Sequence, residues 1–230
     1  RHETLAGAAA TVLIVLVVLT FRQTGVWRNS LTLFRHAVEV TENNDWAQYN
    51  YGLALLEKDD TEAALSHFRE ALRIRPGEAK SLNNIGLILA RRGDLDGAVR
   101  NFEGALTSDP GFVDARTNLA LALSNRGQPE EAARQLEESL RTQPTHAEAN
   151  RLLGVLLARS GNTDRALVHL RNAVSADPSS ARVRNSLGIV LAQKGMLDEA
   201  ITHFRAALAL NPSLDQARRN LETALQEKQK

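Results

Sequence analysis

Pro76, Pro110, Pro144, Pro178 and Pro212 stand 34 residues apart and account for five of the six prolines in the chain. Four further combs keep the same register. They are Gly52, Gly86, Ala120, Gly154 and Gly188; Ala64, Ala98, Ala132, Ala166 and Ala200; Phe34, Phe68, Phe102, Leu136, Leu170 and Phe204; and Ala37, Ala71, Ala105, Ser139, Ala173 and Ala207. A fixed period of this length, unbroken by insertion or deletion, means that one supersecondary unit recurs and packs on its neighbours in one way. Such an array needs no single large core, and the composition agrees: only 4% of the 230 residues are aromatic.

The repeating units are 45–78, 79–112, 113–146, 147–180 and 181–214. Each reads as two helices. In the second unit, helix A is expected over 79–92, with Leu82, Ile85, Gly86 and Leu89 spaced i, i+3, i+4, i+7 on a buried face. Gly93-Asp94 marks a turn. Helix B is expected over 96–108, with Ala98, Phe102 and Ala105 on one face. Asp109-Pro110 ends it, because a residue before proline is pushed out of the α region. The sixth proline, Pro129, falls in the first turn of a helix B, where a missing N–H does no harm. Small residues on the Gly86 comb let helices A and B approach closely.

Small residues in the eighth, twentieth and twenty-seventh places, a large apolar residue in the twenty-fourth and proline in the thirty-second resemble the tetratricopeptide repeat (TPR). The resemblance runs through all five units, with Ser139 the one departure from alanine. It implies an all-α, right-handed solenoid of five helix-turn-helix units. Residues 215–230 start like a sixth helix A, but Glu222 stands where the comb requires a small residue, so they read as a polar capping helix. Residues 28–44 carry Phe34 and Ala37 on their combs and read as a helix B without its helix A.

Residues 1–27 differ in kind. No charge occurs from Thr4 to Phe21, a run that as a helix would span about 27 Å, close to the hydrocarbon thickness of a bilayer. A transmembrane helix over 4–21 is expected. A signal peptide fits less well, since the run is long and no small-x-small site follows it; a buried central helix is the other alternative. The chain begins without Met and its one Met is Met196, as in a processed product or a piece of a longer protein. Arg22, Arg28 and Arg35 follow the run and only Arg1 precedes it, which by itself places the following segment in the cytoplasm. The junction from Arg22 to Phe34 resembles the last membrane helix and repeat junction of multi-span, TPR-bearing membrane proteins of the C-type glycosyltransferase fold. That resemblance implies the opposite topology, with the array outside the cytoplasm. The family's catalytic acids lie in early loops that this sequence does not contain, so no catalytic residue carries over.

Charge and residue inventory exclude several functions. With 28 basic and 27 acidic residues the net charge is +1, so there is no cationic excess to displace counterions from nucleic acid. The absence of cysteine removes disulfides, thiolate metal sites and thiol catalysis. His67, His169 and His203 share one place in helix B, but equivalent places in adjacent units are about 8–10 Å apart, too far to share one ion; they read as convex-surface residues. No metal, cofactor, phosphate loop or catalytic constellation is expected, and the chain reads as a binding protein rather than an enzyme.

Helix A of a TPR lines the concave face on which peptides bind. One candidate row there is Asn50, Asn84 and Asn118, continued by Leu152 and Ser186. Asparagine offers both donor and acceptor to a peptide backbone, and the row resembles the asparagine ladder of the sugar transferase that modifies nuclear and cytoplasmic proteins; satisfying the local backbone is the competing role. A second row is Leu53, Leu87, Leu121, Val155 and Ile189. As a continuous apolar stripe it either receives a partner segment or packs within the array. Trp46 and Tyr49 stand at the first unit as a peptide anchor or as a cover for its open end. The expected partners are a protein or peptide in the groove and a membrane at 4–21. The expected role is a membrane-tethered scaffold. Two alternatives are the substrate-selecting tail of a glycosyltransferase-like protein and a head-to-tail filament with the N-terminal helix as its core.

Overall fold

The computed structural model describes residue 15 and residues 27–229. Apart from Val15, the apolar run 4–21 lies outside the described residues, and among these no helix is long and apolar enough to cross a membrane. The rest is helical, without strands among the described residues, and divides into two compact units, residues 1–92 and 93–230. The first holds α1 (Ser30–Val40), α2 (Asp45–Leu56), α3 (Thr61–Ile74) and α4 (Ala79–Arg91). The second holds α5 (Leu95–Ser108), α6 (Val113–Asn125), α7 (Pro129–Thr142), α8 (Ala147–Arg159), α9 (Thr163–Ala176), α10 (Ala181–Gln193), α11 (Leu197–Leu210) and α12 (Asp215–Lys228).

The helix boundaries follow from local chemistry. Asp60 and Asp94 cap α3 and α5, their carboxylates accepting from Ala63 N at 3.2 Å and Gly97 N at 2.8 Å. Pro129 occupies the first turn of α7, followed by Glu130 and Glu131, whose charge suits the helix dipole. Between helices A and B the fifteenth residue of every repeat is left-handed: Asp59 at φ 60°, then Gly93, Gly127, Gly161 and Gly195 at φ 79–83°.

Where both helices of a repeat lie in one unit, A and B nearly touch at the meeting of the glycine and phenylalanine combs. A Cβ on Gly52 would lie 2.7 Å from Phe68 Cε1, and one on Gly188 only 2.6 Å from Phe204 Cε1. In the first unit Phe68 joins Leu55, Ala64, Leu65, Ile85 and Ile88 in one buried cluster. In the second, Phe102, Leu136, Leu170 and Phe204 are all at most 1% exposed.

The buried face of helix A is broader than a single stripe. In α4, Leu82 and Leu89 are only half-buried, whereas Ser81, Asn83 and Ile88 are buried along with Ile85 and Gly86. α10 shows the cause: it packs against α8, α9, α11 and α12, and Val183, Asn185, Ser186, Leu187, Gly188, Val190 and Leu191 are buried in consequence. α12 buries only Ala217 and Ala224, and Glu222 is exposed.

Two polar devices recur with the period. The fourth residue of a repeat reaches back to the preceding proline carbonyl: Arg116 Nη2 to Pro110 O at 2.8 Å, Asn150 Nδ2 to Pro144 O at 2.8 Å, Arg184 Nε to Pro178 O at 3.0 Å and Arg218 Nη2 to Pro212 O at 2.8 Å. The same residue reaches forward to helix B, through Arg116 Nη1 to Gln135 Oε1 at 3.2 Å and Asn150 Oδ1 to His169 Nδ1 at 3.0 Å; in the first unit Gln48 Oε1 meets His67 Nδ1 at 2.6 Å. The histidine row is therefore half-buried between the two helices rather than on the convex surface. The second device is an ion pair between residues 30 apart in adjacent repeats: Glu62–Arg92 in the first unit, and Asp96–Arg126 (2.9 Å), Asp164–Lys194 and Asp198–Lys228 in the second.

Candidate peptide-binding groove

The apolar row of helix A lines a groove in the second unit. A depression of about 160 Å³ between α6 and α8 is bounded by Leu121, Asn125, Arg151, Leu152, Val155 and Arg159. A neighbouring one of about 390 Å³ shares Arg151, Val155 and Arg159 and adds Asn185, Ser186, Ile189, Gln193 and Gln216. A third, about 240 Å³, continues through Ile189 and Gln193 to Asn220 and Ala224 of α12. The shared residues make these one trough with Leu121, Val155 and Ile189 along it. Leu121 is 39% exposed, high for a leucine flanked by Ala120 and Ala122, both buried.

Its lining is suited to recognition of an extended segment. Asn125, Gln193 and Gln216 offer both donors and acceptors to an extended backbone, whereas Asn185 is buried and its Oδ1 accepts from Asn220 Nδ2 at 3.0 Å. Two guanidinium groups line it. Arg151 is held by Glu148, with Nε to Oε2 at 2.8 Å, and Arg159 has no ion-pair partner among the described residues. No carboxylate lines the first two depressions.

The other sequence candidates are placed differently. Leu53 packs against the buried cluster of the first unit, and Leu87 in α4 is half-buried. Asn50 Nδ2 donates to Trp46 O at 2.7 Å and Asn84 Nδ2 to Lys80 O at 2.9 Å, so both amides bond one turn back in their own helices. Asn118 is half-buried, and Leu152 and Ser186 further along the row are buried. Trp46 is 62% exposed, its ring edge-on to Phe34 at 5.3 Å. Tyr49 lies against Phe68 at 5.8 Å; burial and the charge of Glu78 raise its phenol pKa, while a hydrogen bond with Asn84 acts in the opposite sense.

The groove walls, Arg151 and Asn185 in the fifth place of the repeat and Asn125, Arg159 and Gln193 in the thirteenth, are not among the sequence candidates, which follow the sixth and ninth places along the array and take the fifth only at Tyr49. Their signal was polarity recurring at period 34 on the flanks of the apolar row.

Several solved structures are similar to this chain. A thermophilic TPR protein of Thermus thermophilus is 22% identical, with a TM-score of 0.66 over 79% of this chain and 99% of that one. YrrB, described as a TPR protein with an unusual peptide-binding site, is 23% identical, with a TM-score of 0.59 over 81% and 96% of the two chains. The hetero-tetramer Cut9–Hcn1 of APC/C aligns at a TM-score of 0.76 and 18% identity over 84% of this chain and 38% of that one. No curated protein is significantly similar in sequence. Two family models described as tetratricopeptide repeat match, one over residues 89–156 and the other over 18–79 and 157–215, the latter more than half of the chain. The chain thus belongs to the tetratricopeptide-repeat family.

Proposed function

We propose that the protein is a scaffold that holds an extended segment of a partner protein in the trough of α6, α8, α10 and α12. The observation that carries this reading is the apolar strip of exposed Leu121 and half-buried Val155 and Ile189 between amides and guanidinium groups. A segment with apolar side chains alternating with polar or acidic ones matches that lining, its backbone bonded by the amides. YrrB, a protein of the same fold, is described as binding peptide, which supports this use of the fold.

The apolar run 4–21 tethers the scaffold at a membrane, with the array outside the cytoplasm, as the junction resemblance implies. The chain has no cysteine, so one cysteine introduced at exposed Asn172 is a clean topology probe: labelling of intact cells by an impermeant maleimide supports that side, and labelling only after lysis removes it.

The groove is tested by selecting a random-peptide display library on the full chain. Selected peptides should lose at least tenfold in affinity on the Leu121→Asp, Val155→Asp double variant. Peptides bound equally by the folded variant would show that the trough is not the site.

A further inference from the structure

The repeats fill their own junctions in one way, and one junction is left open. The twenty-first residue of a repeat is Leu65, Val99, Leu167 or Ile201, each at most 5% exposed, and Leu65 packs with Ile85 and Ile88 of the next repeat. In the third repeat that place holds Ala133. The ion pair between residues 30 apart joins Glu62 to Arg92, Asp96 to Arg126, Asp164 to Lys194 and Asp198 to Lys228. In the third repeat the acid is Glu130, but the residue 30 further on is Ser160, and Glu130 has no partner among the described residues. The missing aliphatic group and the missing cation therefore belong to the same junction. A cavity of about 580 Å³ opens there, lined by Ser124, Gly127, Pro129, Glu130, Ala133, Leu156, Leu157, Arg159 and Ser160. Its volume lies within the range of small-ligand and side-chain pockets.

We infer that this cavity is a second recognition site, which takes a partner-protein segment presenting a large aliphatic side chain next to a lysine or arginine. The aliphatic group fills the space that Leu65 or Leu167 fills in its own repeat, against Ala133, Leu156 and Leu157. The cation meets the carboxylate of Glu130, as Arg126 meets Asp96. The ligand supplies the two groups that the other junctions supply from within. Glu130, one turn before Ala133 on α7, sets the preference for a basic neighbour, against the opposing charge of Arg159 in the same lining. The site borders the trough through Ser124, Leu156 and Arg159, but the inference does not depend on the trough binding anything.

The test uses the ¹⁵N-labelled full chain in detergent and two N-acetylated peptide amides, Gly-Leu-Lys-Gly and Gly-Leu-Glu-Gly, followed by amide shifts. The Leu-Lys peptide should shift Gly127, Ala133, Leu156 and Ser160 saturably, and the Leu-Glu peptide should bind at least fivefold more weakly. Glu130→Gln should weaken the Leu-Lys peptide at least threefold, Ala133→Leu should abolish its binding, and Leu121→Asp in the trough should leave it unchanged. Ala133→Leu with Ser160→Arg should raise the melting temperature, because it restores the arrangement of the other junctions. Absence of saturable shifts at these amides, binding undiminished by Ala133→Leu, or a melting temperature lowered by the double substitution would each overturn the inference.

Discussion

Nδ1 of His169 lies 3.0 Å from Oδ1 of Asn150, nineteen residues earlier in the same repeat. Because Asn150 Nδ2 donates to Pro144 O, its Oδ1 faces the ring, and the imidazole donates from Nδ1. Burial, with Arg165 adding to it and Glu137 opposing, holds the pKa of His169 below 6.5. Burial likewise lowers His67, against Glu70, and His203, with Arg184 and Arg171 adding and Glu199 opposing. The unfolded chain then binds more protons than the native one below pH 6.5. The stabilisation is fully present above that pH and is lost as pH falls from 6.5 through the depressed native values. Melting curves should show a lower Tm at pH 5 than at pH 7.5. Replacing His169 and His203 by Gln should flatten that limb, and an unchanged limb in the variant would assign it to other groups.

Gly188 and Phe204 test how tightly the two helices of a repeat are pressed together. Gly188→Ala puts a methyl 2.6 Å from Phe204 Cε1 and should cost about 1–3 kcal/mol, the usual range for overpacking. The third repeat holds Ala120 opposite Leu136, both buried. Phe204→Leu in the Gly188→Ala background should therefore recover part of the loss. Denaturant unfolding of the two single variants and the double variant gives the coupling, and strict additivity would contradict contact between the two combs.

At the A–B turns the backbone decides, since a Cβ on Gly161 at φ +83° would meet nothing within 4 Å. Gly161→Ala should still cost about 1–2 kcal/mol through left-handed strain. Asp59, in the equivalent place at φ 60°, is of a type that tolerates this region, and Asp59→Gly should change stability by less than about 0.5 kcal/mol. Urea midpoints of both variants check the contrast.

α1 contains no buried residue, whereas α3 buries Ala64, Leu65, Phe68 and Ala71. Local opening free energy follows buried contact, so amides of α1 should exchange with deuterium at least about tenfold faster than those of α3. Equal protection of the two helices would mean that α1 is held by something beyond its contact with α2.

The repeat itself was legible because the requirements of close packing fall on one place at a time. A glycine opposite a phenylalanine, a proline after helix B and an alanine in the crowded centre each tolerate few alternatives, so Gly52, Phe68 and Pro76 could be read without a structure. The polar places were less legible. His67, His169 and His203 looked like surface residues because their partners, Gln48 and Asn150 in the first two cases, vary from repeat to repeat and leave no comb. The asparagine row failed to show that Asn50 and Asn84 bond their own helices, since sequence cannot distinguish an amide turned inward to a carbonyl from one turned outward. Ala133 and Ser160 are ordinary residues taken singly; only the side chains that fill the other junctions make their absence visible.

The bonds from Arg116, Asn150, Arg184 and Arg218 to the prolines six residues before them also bear on synthesis. A ribosome delivers the proline loop first, the gripping side chain six residues later, and the helix B partner of Arg116 or Asn150 nineteen residues after that. Each loop can thus be fastened to its following helix while the rest of the repeat is still in the exit tunnel. These two fastenings need nothing from the repeats to come, so each unit can be tied at its own loop before the ion pair to the next repeat closes.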